Sequence, residues 1–199
     1  MNTEKAPAQD LSGATVIRNS MNNEQAHAEG VYRAVCRDSK GNIKWEDTIE
    51  NTVMTEGKNA ALDTFLGGSG YTVTGPYMGL ISSVGYSAIA ATDTAAQING
   101  SNGWKEAGSS TNFPLYTTPR KTAAWSAASG GSKSLSAGLV FPIITTGGTV
   151  KGCFLIFGTG ALSTIADTNG KLYSAGLFTG GDKVVSPGDT LTVTYTASL

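Results

Sequence analysis

Glu46, Asp47 and Glu50 stand close together beside Trp45. Two carboxylates flanking a glycosidic bond are what glycoside hydrolysis requires, so Glu46 and Asp47 are the pair this chain would offer a glycan hydrolase. Nothing around them marks one acid as desolvated, and a solvated strand end or turn accounts for them better. Cys36 and Cys153 are the two thiols, and the single histidine, His27, is the only imidazole to act as their base. His27 lies in a polar stretch outside the patterned part of the chain. One imidazole also excludes most zinc sites and the metalloprotease helix motif. No Gly-x-Ser-x-Gly elbow is present. The two cysteines are too few for a disulfide framework and read as small buried apolar residues.

The remaining candidates are weaker still. Gly147-Gly148 and Gly158-Thr159-Gly160 lack the helix start and the lysine of a phosphate cradle, and read as turns. Asp189, in Ser186-Pro187-Gly188-Asp189-Thr190, has the chemistry of a calcium ligand, but an acid in a Pro-Gly turn ordinarily bonds its own backbone. Trp104 and Tyr116, in a loop, and Trp125 are the aromatics a sugar-binding module would stack on its ligand, although burial is the commoner fate of such side chains. No catalytic, cofactor-binding or metal-ligating set is assigned.

The elements that would position these residues follow from composition and period. The 199 residues include 26 glycines, about 13% against about 7% in average chains, and only 15% are charged against about 25%. The net charge of -1 gives no electrostatic footprint for nucleic acid or an anionic membrane. The first twenty residues hold acids and no apolar run of signal-peptide length, and no segment approaches the run of about 18 apolar residues a transmembrane helix needs. The expectation is a soluble protein made in the cytoplasm, binding neither nucleic acid nor membrane.

Residues 1–29 mix both charges with few large apolar side chains. They read as an arm that orders on a partner surface. From Gly30 the pattern changes, and residues 30–199 read as one domain. Tyr32, Ala34 and Cys36 share one face of a strand. The cluster 38–42 makes a turn, and Ile43-Lys44-Trp45 completes a hairpin, which 49–54 extends or follows with a third strand. Thr55 caps the one helix, which runs to Leu66 with Ala61, Leu62, Phe65 and Leu66 on its apolar face and stops at Gly67-Gly68. Further strands are expected at 77–81, 135–141, 150–157, 172–178 and 191–199, and a brief helical turn after Thr92. Residues 99–118 form a long loop, and tight turns fall at 146–148, 167–170, 179–182 and 186–189. Short strands between such turns predict a mainly β fold: an antiparallel β-sandwich, jelly-roll-like, with one short helix and an extended N-terminal arm.

Several segments together resemble a group of small virion proteins of tailed bacteriophages. They are Gly41-Asn42-Ile43-Lys44-Trp45-Glu46-Asp47, Asn51-Thr52-Val53, Gly57-Lys58-Asn59-Ala60-Ala61-Leu62-Asp63, Tyr77-Met78-Gly79-Leu80-Ile81, Ala91-Thr92-Asp93-Thr94, Gly103-Trp104, Leu172-Tyr173-Ser174-Ala175-Gly176-Leu177-Phe178, and Gly188 through Thr196. The likeness covers residues 30–199. It implies a structural protein of the phage particle, specifically a capsid cement or decoration protein with a jelly-roll-like sandwich. The implied partners are the major capsid protein and further copies of the chain, as a homo-oligomer, a trimer at a threefold axis. The implied location is the virion, assembled in the bacterial host cytoplasm. Low charge with abundant Thr, Ser and Gly suits closely fitted contacts, because interface cores are depleted of charge. The competing expectation is a carbohydrate- or host-receptor-binding module of a tail fibre or spike, using Trp104, Tyr116 and Trp125.

Overall fold

The computed structural model describes residues 28–66, 74–100, 103–117 and 119–198, the side chain of Phe65 excepted. Nearly all of the expected arm, with His27, lies outside the described residues, as do Gly67-Gly68. Among the described residues the chain forms eleven strands and one α-helix, arranged as two antiparallel sheets.

In the first sheet β2 (Ile43–Glu50) pairs β1 (Glu29–Arg37), which pairs β11 (Thr190–Ser198). Two short strands, β6 (Ser132–Ser134) and β7 (Leu139–Pro142), lie in series along the far side of β11. The first and last strands therefore meet, in unbroken register from Glu29 opposite Ser198 to Arg37 opposite Thr190. The second sheet runs β3 (Thr52–Val53), β9 (Lys171–Leu177), β8 (Gly148–Phe157), β4 (Tyr77–Ser82), β5 (Lys121–Thr122), with β10 (Lys183–Val185) pairing the start of β8.

The alternating residues of β1 and β11 explain the sandwich. Tyr32, Ala34 and Cys36, with Leu191, Val193 and Tyr195, are buried, and they join Met78, Leu80, Cys153 and Leu155 of the second sheet in one core. Polar contacts tie the sheets at one end of that core. The Tyr32 hydroxyl lies 2.6 Å from Ser174 Oγ, and Tyr195, stacked on Tyr32 at 4.4 Å, accepts from Asn51 Nδ2 at 2.8 Å. Asn51 is the corner at which the chain passes from β2 in one sheet to β3 in the other. A Cβ on Gly30 would lie 2.1 Å from the Tyr195 hydroxyl, so this network needs glycine there.

The hairpin, the strands at 77–82, 148–157 and 171–177, and the terminal strand occur where the period placed them. Four readings are corrected. The helix α1 spans Thr55–Leu66 as expected, but Thr55 Oγ1 donates to the Ala91 carbonyl instead of capping the helix. Its packed face is also different. Ala61, Leu62 and Leu66 are exposed, while Gly57 and Ala60 are buried with Met54 just before the helix. The helix approaches β9 so closely that a Cβ on Gly57 would sit 2.7 Å from the Tyr173 carbonyl oxygen; the contact selects the smallest side chains, not the largest. Of the single strand expected over 135–141 only the end forms, as β7 from Leu139; Leu135 makes an isolated bridge to Trp125, and Ala137 is exposed where the neighbouring Gly138 lies against Thr192. The short helical turn is Ala95–Gln97, and the residue before it is Thr94, whose N–H and hydroxyl both donate to Gln97 Oε1.

Candidate functional site

The outward face of the first sheet is built by the same alternation that fills the core. On β1 the outward residues are Val31, Arg33, Val35 and Arg37; on β11 they are Thr190, Thr192, Thr194 and Thr196. Register sets them in rows across the strands. One row reads Glu50, Val31, Thr196, Ser134; the next Thr48, Arg33, Thr194; the third Glu46, Val35, Thr192, Val140. The Ser134 and Thr196 hydroxyls meet at 2.8 Å, which holds β6 to this face. Val31 and Val140 are each nearly half exposed, at 44% and 45%. The central stripe is thus hydroxyl and aliphatic, with arginines on β1 and acids on the β2 edge. At about 4.8 Å between strands and about 6.8 Å between same-face residues, its area is on the order of 400 Å². That is roughly half of what one partner contributes to a standard stable interface.

The acids proposed for hydrolysis serve another purpose. Asp47 is half-buried against the β9–β10 turn, where Lys183 Nζ approaches to 2.7 Å, Thr179 Oγ1 donates at 2.8 Å, and the Gly180 N–H donates at 2.9 Å. Burial pushes its carboxyl upward, but the Lys183 ammonium and the Thr179, Thr48 and Gly180 donors overcome this and hold it at about 2. Glu46, next to it, is exposed. Asp47 is a clasp that closes the free edge of β2, helped by Trp45 Nε1, which donates to the Val184 carbonyl at 3.1 Å.

This clasp has a pH signature. Its folded value lies below the unfolded value of about 3.9, so its stabilisation is complete above about pH 4 and is lost as pH falls towards 2. We expect the thermal midpoint to fall over that window and Asp47→Asn to lower the midpoint at neutral pH while flattening the fall. An unchanged acid limb in Asp47→Asn would refute the assignment.

The other candidates are also placed. Cys36 and Cys153 are free and buried on opposing sheets. Burial, reinforced by Asp189, pushes the Cys36 thiol up to about 11, and burial raises Cys153 as well, so both are protonated at neutral pH. Asp189 accepts from its own turn, the Ser186 N–H at 2.7 Å, and pairs Lys44 Nζ at 2.5 Å. Gly158, Gly160 and Gly188 have positive φ, as turn glycines do. Trp104 and Tyr116 are fully buried: Trp104 packs on Phe154 at 5.2 Å and Tyr116 on Phe141 at 5.2 Å. Neither is placed to stack on a sugar. Trp125 is half-buried. Among the described residues no group of three or more His, Cys, Asp or Glu is arranged to hold a metal ion, and no helix is long and apolar enough to cross a membrane.

One constellation escaped the sequence reading altogether. Glu106 and Arg120 are both fully buried and meet in a bidentate pair, Nε to Oε1 and Nη2 to Oε2, each 2.7 Å. Arg120 also donates to the Leu162 and Asp167 carbonyls, and the Ala166 N–H donates to Glu106 Oε2. Burial pushes the Glu106 carboxyl up against the pull of Arg120. Every partner here is a neighbour in the pair or a backbone group of the 162–167 segment, so the pair staples two loops to β4, where Glu106 bridges Ile81. Its only sequence trace is Glu106 within the 99–118 loop and Arg120 just after it.

Comparison with known protein families, with curated proteins and with solved structures found no match.

Proposed function

We propose that the chain is a structural protein of a tailed-phage virion, a cement or decoration protein that lies on the outer surface of the major capsid protein and bridges neighbouring capsomers. The observation that carries this reading is the central stripe of Thr, Ser and Val on the outward face of the first sheet. A regular, open β-face whose β11 stripe carries no charged side chain suits the core of a contact, where charge is depleted. The resemblance of residues 30–199 to small virion proteins supports the same reading. In it the protein works by contact area: bridging two capsomers raises the cost of separating them.

The size of the face decides how it would work. An area on the order of 400 Å² is too small to hold a partner alone. Self-association into a homo-oligomer, a trimer at a threefold axis, would repeat the face, and the arm of residues 1–29 would add a second contact; linked contacts multiply affinity by roughly 10² to 10⁴.

The test is add-back to purified heads stripped of the protein. Full-length chain should restore their resistance to heat, and chain lacking residues 1–29 should reach at least about tenfold lower occupancy at the same free concentration. Heads equally heat-resistant with and without the protein would overturn the cement reading; full occupancy without the arm would overturn the arm's part in it.

A further inference from the structure

Asparagine followed by glycine is a reactive step, because glycine has no side chain to keep its own nitrogen away from the asparagine side chain. The chain has three such steps, Asn99-Gly100, Asn102-Gly103 and Asn169-Gly170. Asn102 lies outside the described residues, and the other two sit in opposite surroundings.

Asn99 is locked. Its side-chain oxygen accepts from the Glu106 N–H at 3.1 Å and from Asn112 Nδ2 at 3.4 Å, and the Gly100 N–H donates to the Gln97 carbonyl at 3.2 Å. Its side-chain nitrogen is buried. Asn169 instead is exposed, in the turn before β9. Among the described residues its side chain makes one hydrogen bond, from Nδ2 to Asp167 Oδ2 at 2.9 Å, and nothing accepts from the Gly170 N–H. The glycine is demanded by the fold. Gly170 has a φ of 89°, and a Cβ there would lie 2.6 Å from the Ala161 Cβ, so the unhindered nitrogen beside Asn169 comes with the turn itself.

We propose that Asn169 is a site of spontaneous modification, at which the chain rearranges its own backbone. The Gly170 nitrogen bonds to Asn169 Cγ and the Cγ–Nδ2 bond breaks. The proton given up by Gly170 is matched by one taken up by the departing nitrogen, which leaves as ammonia. Water then opens the cyclic succinimide at either carbonyl. One opening gives aspartate; the other gives isoaspartate, with the main chain running through Cγ. No atom changes oxidation state.

The place of Asn169 decides the consequence. Either product replaces the Nδ2 donor by a carboxylate beside that of Asp167, and like charges repel. The same loop is held by the buried pair: Arg120 Nη2 donates to the Asp167 carbonyl, and the Ala166 N–H donates to Glu106 Oε2, each at 2.7 Å. Modification therefore loosens the segment that the Glu106–Arg120 pair staples. The inference does not depend on any virion role.

The experiment ages the full chain at mildly alkaline pH, digests it with trypsin and follows by mass spectrometry the peptide 152–171, whose one asparagine is Asn169. Asn169 should convert at least about tenfold faster than Asn99, since reaction at Asn99 first requires its hydrogen bonds to open. Both isoaspartate and aspartate should form, and electron-transfer fragmentation separates them. In urea the two sites should react at comparable rates. Hydrogen exchange at the Ala166 amide should be severalfold faster in aged protein than in fresh protein. Asn169→Gln, whose longer side chain closes the ring far more slowly, should keep the slow exchange on ageing. Asn169 left intact, aspartate without isoaspartate, or Asn99 converting as fast as Asn169 in the folded chain would overturn the proposal. Ala166 exchange unchanged after conversion would overturn the coupling to the buried pair.

Discussion

Arg120→Met is expected to lower the free energy of unfolding by about 3–5 kcal/mol, the range for removing one partner of a buried ion pair. The reason is geometric. Arg120 directs its guanidinium into Glu106 and two loop carbonyls with no exposure to water. Methionine approximates its volume and leaves the Glu106 carboxylate, the Leu162 carbonyl and the Asp167 carbonyl without that donor. The double change Glu106→Leu with Arg120→Met should cost less than the sum of the two single changes, because the stranded charge is gone. It should not recover fully, since the Ala166 N–H loses its acceptor too. Urea unfolding reads this directly as a lower midpoint at constant slope. A loss below about 1 kcal/mol for Arg120→Met would mean that water reaches the pair and that the loops are not stapled.

The second large effect concerns the outward face. Thr194→Lys places a cation in the middle row, opposite Arg33. In the free protein the change is mild, within about 0.5 kcal/mol, because Thr194 is exposed. In a docked face the same ammonium is buried without a partner, which costs about 2 kcal/mol or more and weakens binding about 30-fold or more. Titration of stripped heads with the variant should show that loss while its thermal midpoint stays near that of the unaltered protein. Unchanged binding would mean that this face looks outward to solvent.

The strands were readable where a strict period of two sorted side chains between core and surface. β1 and β11 show this best: Tyr32, Ala34, Leu191, Val193 and Tyr195 alternate with residues that face out. The same alternation specified the candidate face, since fixing one side of a strand fixes the other. The period misled at 135–141, where alternation continued through a stretch that the close approach of Gly138 to Thr192 breaks. It misleads at α1 as well, because large apolar residues ordinarily mark the buried side of a helix. The helix instead meets β9 through Gly57 and Ala60, leaving Leu62 and Leu66 outside. Asp47 and the Glu106–Arg120 pair were beyond reach for a different reason. Their partners, Lys183, Thr179 and the 162–167 backbone, are distant in sequence, and no local pattern reports a long-range polar contact.

The described residues form two sheets closed by polar clasps, with an open hydroxyl and aliphatic face on the first. The clasps keep charge inside or at edges, and the face stays free of acids at its centre.

The most direct test of the proposed cement role is a density map of a phage particle assembled with this chain, at a resolution that separates sheets. The expected result is this chain on the outer surface of the head, in a fixed number of copies per capsomer, with the stripe through Val31, Thr194 and Thr196 turned to the major capsid protein. Density for the chain on the tail, or on the head with that stripe facing solvent, would contradict it.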